Sequence, residues 1–207
     1  MGTVLRTRYQ RGEVIYRQGE PTGRLYRAET GFVRLSKTTL RGRTITVRHV
    51  LPGDYFGEDA LTAGQHPHGA EALTTAMIVT LDPRELDDAA LLDVARNLGT
   101  QLRRVMSFEV HLQSGDLRQR VVRYLLELAD TPLGAEDAEN RLYVRATHEL
   151  LAEGSGSTRE SVSKIVTELR ESGLIETGYR HITLLDFDGL KTIATQVTPD
   201  VQHGQSA

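Results

Sequence analysis

Apolar and polar positions change rhythm along this chain. Up to about residue 84, short apolar runs at 13–16, 25–28, 32–35, 44–50 and 76–81 alternate with turns at Gly12, Gly19, Gly23, Gly31, Gly42, Gly53, Gly57 and Gly64. Short strands at such regular spacing predict a β-barrel or jelly roll. From about Pro83 the period becomes helical. Leu91, Leu98, Val105 and Leu112 recur every seven residues, with Ala95, Leu102 and Glu109 interleaved. That spacing predicts a long helix with an a/d seam, and Gly99 allows two backbones to come close. Such a seam either packs on its own barrel or joins two copies of the chain. The flanking Arg103, Arg104 and Glu109 point to a homodimer. Ser114-Gly115-Asp116 interrupts the helix and reads as a hinge. Beyond it lie an amphipathic helix over 117–129, an acidic loop carrying Glu136, Asp137 and Glu139, and a short strand over 142–145.

The next stretch, THELLAEGSGSTRESVSKIVTEL from Thr147 to Leu169, reads as two short helices bent around a glycine. A helix-turn-helix needs a small residue in its first helix, glycine at the bend and branched apolar residues in the second. Ala152, Gly156, Val162 and Ile165 fill those places in order. Ser157 and Glu160 have capping-box spacing, so the second helix is expected to open at Ser157. Arg159, Glu160, Ser163 and Lys164 then project away from Val162 and Ile165. Such a helix end suits the major groove, where Arg fits guanine O6/N7 and Glu accepts from cytosine N4. A plain helical hairpin has the same pattern. The continuation of the chain argues for the DNA reader: a helix stop at Glu171-Ser172-Gly173, a strand, a turn at 177–180 and a strand from Ile182. That is the winged form of the motif. Arg180 and His181 lie near the wing tip, where a phosphate contact and a plain solvated turn both fit.

Composition narrows the classes. A chain of 207 residues with 39% hydrophobic and 26% charged residues is expected to be globular, and it has no cysteine for disulfides, thiolate metal sites or thiol redox chemistry. No apolar run approaches a membrane span and the N-terminus lacks a secretory pattern, so a cytoplasmic location is expected. No metal or other cofactor is expected either. Of the seven histidines only His66-Pro67-His68 forms a close pair, read as an exposed polar loop. Net charge is −3, split unevenly: residues 116–207 carry 10 basic and 15 acidic side chains. A DNA-binding half with that balance argues against strong non-specific binding, not against specific binding. Asp87-Asp88, His148-Glu149 and Ser155-Gly156-Ser157 lack the ordered partners that catalysis requires, and no enzyme activity is expected.

Taken together, the order of motifs resembles the cyclic-AMP receptor protein (CRP/FNR) family of bacterial transcription regulators. The resemblance spans roughly residues 8–190. It is carried by Gly12-Glu13-Val14-Ile15-Tyr16-Arg17-Gln18-Gly19-Glu20, Leu25-Tyr26, Gly31-Phe32-Val33-Arg34-Leu35, Pro52-Gly53-Asp54-Tyr55-Phe56-Gly57-Glu58 and the stretch from Gly156 to Ile165. It implies an α+β chain: a cyclic-nucleotide-binding-type barrel over 1–84, a dimerisation helix over 85–114, a winged helix-turn-helix over 115–195 and a mobile tail over 196–207. By that resemblance Arg159, Glu160 and Lys164 contact bases of a TGTGA-like half-site, read twice by a two-fold dimer on double-stranded DNA. Thr147, Thr158 and Ser161 would face phosphates, Arg180 joins them from its place near the wing tip if that turn is not simply solvated, and RNA polymerase is the expected partner of an activator. The acidic loop 136–139 is either a polymerase contact or plain solvated charge. Relatives carry aliphatic residues or alanine where this chain has Gly154 and Ser155, so weaker packing and a looser turn are expected there.

The resemblance also implies a test for cyclic AMP. Such a barrel holds the ribose with a carboxylate, the cyclic phosphate with an arginine and a hydroxyl, and the base with polar groups on the dimer helix. Glu58, after Gly57, supplies the carboxylate. The loop 63–70, AGQHPHGA, has neither arginine nor serine, and the base-facing places fall on Val105 and Met106, both apolar. A phosphate buried without its partner is costly. The pocket therefore reads as vestigial, and the regulator as one that acts without cyclic AMP. The alternative is a regulator that depends on cyclic AMP or another small effector in the barrel.

Overall fold

The computed structural model describes residues 5–40, 42, 44–62 and 64–196, so the tail expected to be mobile lies outside the described residues apart from Gln196. Among the described residues of the N-terminal half there are eight strands: β1 (Leu5–Tyr9), β2 (Val14–Tyr16), β3 (Leu25–Thr30), β4 (Val33–Thr38), β5 (Thr44–Val50), β6 (Tyr55–Phe56), β7 (Gly69–Ala72) and β8 (Ala76–Leu81). They make two antiparallel sheets, ordered β1-β8-β3-β6 and β2-β7-β4-β5. Alternation is clear on β4, where Val33 and Leu35 point into a core shared with Val50, Phe56 and Ile78 while Arg34 and Ser36 between and after them stay in contact with water. The sequence pattern located β2 to β5 and β8. It missed β1, whose arginines mask the alternation, and the very short β6 and β7.

Asp87 caps α1 (Asp88–Gln113), a 26-residue helix that ends at Ser114; residues 83–85 form a 3-10 turn before it. An i, i+4, i+7 set of polar side chains ties α1 to the barrel. Asn97 Oδ1 accepts from the Tyr55 backbone N–H (2.9 Å), Gln101 Nε2 donates to the Tyr55 carbonyl (2.7 Å) and Arg104 grips Asp54 (2.7 Å). The predicted seam is displaced accordingly. Seven residues of a straight α-helix fall about 20° short of two turns. Successive seam positions therefore rotate: Leu98 packs with Val94 against Leu25 and Tyr55 of the barrel, and Val105 faces inward towards β5. Leu91, Ala95 and Leu102 remain exposed, joined by Met106 and Val110. Leu112 belongs to the helix, but its side chain is not among those described.

Beyond the hinge come α2 (Leu117–Ala129), β9 (Gly134–Glu136), β10 (Leu142–Val144), α3 (His148–Ser155), α4 (Arg159–Glu171), β11 (Ile175–Gly178), β12 (His181–Leu184) and α5 (Phe187–Thr195). A capping box between Asp116 and Gln119 starts α2. The four strands form one antiparallel sheet, β11-β12-β10-β9. Val121, Leu125, Leu151, Val162 and Leu169 build the core, and Phe32, from the turn between β3 and β4, is buried within it. A ring of that size, removed from water, contributes about 1.5–3 kcal/mol to holding the two halves together.

Candidate nucleic-acid interface

The turn between α3 and α4 follows from Gly156, which ends α3 in the left-handed conformation (φ 69°) with open space where a side chain would be. Ala152 and Val162 pack inside and Ile165 is partly buried, as a helix-turn-helix requires. The helix start differs from the expected one. Thr158, not Ser157, is the N-cap: its Oγ1 accepts from the Ser161 backbone N–H (3.3 Å) and donates to Ser161 Oγ (3.1 Å). The later start places Arg159 and Glu160 in the first turn of α4, their side chains free of capping.

Val162, Val166 and Leu169 anchor the inner face of α4, while Arg159, Glu160 and Lys164 stand exposed on the outer face beside Ser163 and Thr167. None of the three makes an ion pair among the described residues, so guanidinium, carboxylate and ammonium are free to meet an external partner. Thr158 and Ser161 flank them. Thr147 lies at the other end of the motif and caps α3, its Oγ1 accepting from Leu150 N–H (3.2 Å). Arg180, with φ 60°, forms the exposed turn between β11 and β12 and borders, with Thr147, the cleft facing Arg11 and Arg34 of the barrel. Arg141, by contrast, is held by Asp137, Glu139 and Glu176, so the acidic loop is partly neutralised from within.

Gly154 corrects the expectation of loose packing. It is buried, and a β-carbon there would lie 2.0 Å from Tyr124 Cε1; Ser155 beside it is fully buried. The missing side chain lets the α2 ring press against the α3 backbone. Tyr124 continues into the barrel: its hydroxyl bonds His49 Nε2 (3.0 Å), and the His49 ring stacks between Tyr124 and Phe32. Arg34 of β4 joins Glu71 (2.9 Å) to Glu153 on α3. The barrel and α2 are thus both tied to α3. The sequence pattern gave no sign of this column, since Gly154-Ser155 reads there as a loosened turn.

The proposed effector residues are not gathered into one pocket. Glu58 is paired with Arg48 (2.7 Å), Val105 lines a cavity outside the barrel core and Met106 is exposed. Gly57, in the left-handed region, gives way to Tyr26, whose ring lies 2.7 Å from a β-carbon built there. His66 and His68 are not in an exposed loop: they are 3% and 8% exposed. His66 stacks on Tyr16 (3.8 Å between ring centres), which lies against Tyr26 and Phe56. Both imidazoles face Asp59, at 3.6 and 3.9 Å from its Oδ2. Burial is the larger effect on His68 and lowers its pKa, against the opposing pull of Asp59. A cyclic phosphate would meet the Asp59 carboxylate here, and the nearby Arg48, whose charge acts on Tyr16 and His68, is already paired with Glu58, so these residues do not fit the nucleotide. Among the described residues no group of His, Asp or Glu could hold a metal ion, and no helix is long and apolar enough to cross a membrane.

Residues 6–91 match the model of the cyclic nucleotide-binding domain and residues 119–193 that of the Crp-like helix-turn-helix domain. The chain is 52% identical over 184 residues to the transcriptional regulator LdrP of Thermus thermophilus, covering 89% of this chain and 94% of that protein. It is 38% identical over 188 residues to the transcriptional regulator SdrP of the same species, covering 90% and 92%. The crystal structure of TTHB099, a CRP-family transcriptional regulator also from Thermus thermophilus, superposes with a TM-score of 0.89 at 50% identity, covering 92% of this chain and 97% of that one. Both domain models match in the order that the strands and helices dictate, and such relatives are similar across nearly their whole length: the chain belongs to the CRP/FNR family of transcription regulators.

Proposed function

We propose that this regulator binds DNA as a homodimer, reads a TGTGA-like palindrome and activates transcription with RNA polymerase as its partner, without cyclic AMP. The domain boundaries that accompany this reading are 1–84, 85–114 and 115–195. The observation that carries it is the outer face of α4, where Arg159, Glu160 and Lys164 stand unpaired above the anchoring Val162, Val166 and Leu169. Thr147, Thr158, Ser161 and Arg180 are assigned to flanking phosphates. The homodimer rests on the apolar stripe that α1 leaves exposed, and independence of cyclic AMP on the Arg48–Glu58 pair and on Asp59 facing the phosphate position. Fluorescence anisotropy with a TGTGA palindrome and a scrambled duplex, both without nucleotide, tests the reading. Preference for the palindrome by roughly a thousandfold is expected. Equal affinity for both duplexes, or a preference that appears only with cyclic AMP, would overturn it.

A further inference from the structure

Gly178 pairs with His181, so only Tyr179 and Arg180 join β11 to β12, and these two residues are the tip of the wing. The tip is held firmly from below. His181 Nδ1 donates to the Tyr179 carbonyl (3.3 Å), and its ring meets Tyr143 edge to face, 5.6 Å between ring centres. A β-carbon at Gly178 would strike the same imidazole. On this base Tyr179 stands 89% exposed, and Arg180 holds a left-handed backbone at φ 60°. The second residue of such a turn, when its φ is positive, is usually glycine or asparagine, which take that conformation at little cost. An arginine there strains the backbone, and Arg180 makes no ion pair among the described residues. One exposed ring would be ordinary surface. A ring beside an arginine that the turn itself disfavours is a pair presented to something outside the chain.

The place of the tip narrows what that is. Arg180 and Thr147 line one cleft, and Thr147 caps α3, the helix that leads into α4. Two of the acids in that cleft, Glu71 and Glu153, are held by Arg34, and Glu176 on β11 is turned to Arg141 (3.6 Å), so the guanidinium of Arg180 keeps its charge for a partner. On the proposed function, on which this inference rests, α4 lies in the major groove and Thr147 faces a phosphate at its border. Past that row of phosphates comes the minor groove, about 6 Å wide, which excludes a helix and admits single side chains. Over A·T pairs the groove narrows and its negative potential deepens, which attracts arginine. We propose that Tyr179 and Arg180 enter the minor groove just outside each half-site and select A·T pairs there. The Arg180 guanidinium lies between the two phosphate rows, and the Tyr179 ring packs on the deoxyribose wall. Selection is by groove width, so it separates A·T from G·C and nothing finer.

Fluorescence anisotropy of the full chain on four duplexes tests the proposal: the TGTGA palindrome and a scrambled core, each with A·T or with G·C flanks. The palindrome is expected to bind roughly tenfold tighter with A·T flanks than with G·C flanks. Arg180→Gly and Tyr179→Ala should each bring that ratio close to one while keeping the preference for palindrome over scrambled core. Arg180→Gly also relieves the turn, so its urea midpoint should equal or exceed the parent's, which separates a lost contact from a damaged fold. Equal affinity for both flanks would overturn the proposal. So would a ratio that both variants keep, which belongs to the stiffness of the DNA itself, or a loss that is equal on both flanks, which marks a phosphate contact alone. A flank ratio that the variants abolish, in a chain with no preference for the palindromic core, would support the wing and overturn the reading assigned to α4.

Discussion

At the scale of single residues, α4 shows how one helix divides its labour. Val162 and Val166, fully or nearly buried, hold the helix on its core, so Arg159 can be exposed without loosening it. Arg159→Ala is therefore expected to leave the fold intact and to weaken binding to the palindrome by about 1–3 kcal/mol, relaxing one base position. Titrations on specific and scrambled duplexes check this; an equal loss on both would mean that Arg159 contacts only phosphate. Gly154 has the opposite character. Its missing β-carbon is the space that the Tyr124 ring occupies, and that ring is held from behind by His49. Gly154→Ala should overpack the contact and cost about 1–3 kcal/mol, read as a lower urea midpoint. An unchanged midpoint would show that the ring can retreat. A glycine beside a buried aromatic looks, in sequence, like a weak helix, because nothing nearby in the chain announces a neighbour as distant as Tyr124.

At the scale of elements, the column Phe32–His49–Tyr124 joins β5 to α2, and its imidazole makes the joint sensitive to acid. Loss of solvent, with Arg34 adding to it, holds the His49 pKa down to about 3 in the folded chain. The unfolded chain takes up that proton near pH 6.5, so the contribution is complete above that pH and shrinks as pH falls towards 3. Stability should drop by up to about 1.4 kcal/mol per pH unit across this window, and His49→Gln should flatten the slope. Some slope should persist, since His68 is also depressed. Urea melts at pH 7 and pH 5 decide it: an identical slope in the variant would remove His49 from the account. Elements were legible where one face repeats over several turns. The span of α2 could be read from its stripe of Val121, Val122, Leu125 and Leu128, and β5 from its branched run. What escaped was set from outside the element. The helix α5 has only nine residues and one fully buried side chain, Leu190, and the seam on α1 was rotated by polar ties to Asp54 and Tyr55.

At the scale of the whole molecule, Leu91, Ala95, Leu102, Met106 and Val110 form an apolar stripe that α1 leaves uncovered, with Leu102, Met106 and Val110 exposed by 59%, 58% and 64%. A two-fold partner would bury it, since the same residues meet their copies across such an axis. The pairing matters because the C-terminal half, with 10 basic against 15 acidic side chains, has little general attraction for DNA. On the proposed two-fold reading, one α4 relies on a few base contacts, and a second copy one helical turn away would turn two weak contacts into one strong one. Met106→Glu places a charge in the middle of the stripe without touching the barrel, the column at His49 or α4. Sedimentation should then find single chains, with affinity for the palindrome lower by roughly a hundredfold and affinity for an isolated half-site unchanged. A variant that still sediments as a dimer would place the interface elsewhere. Single chains that kept full affinity would show that one recognition helix suffices, and the two-fold reading of the site would fail.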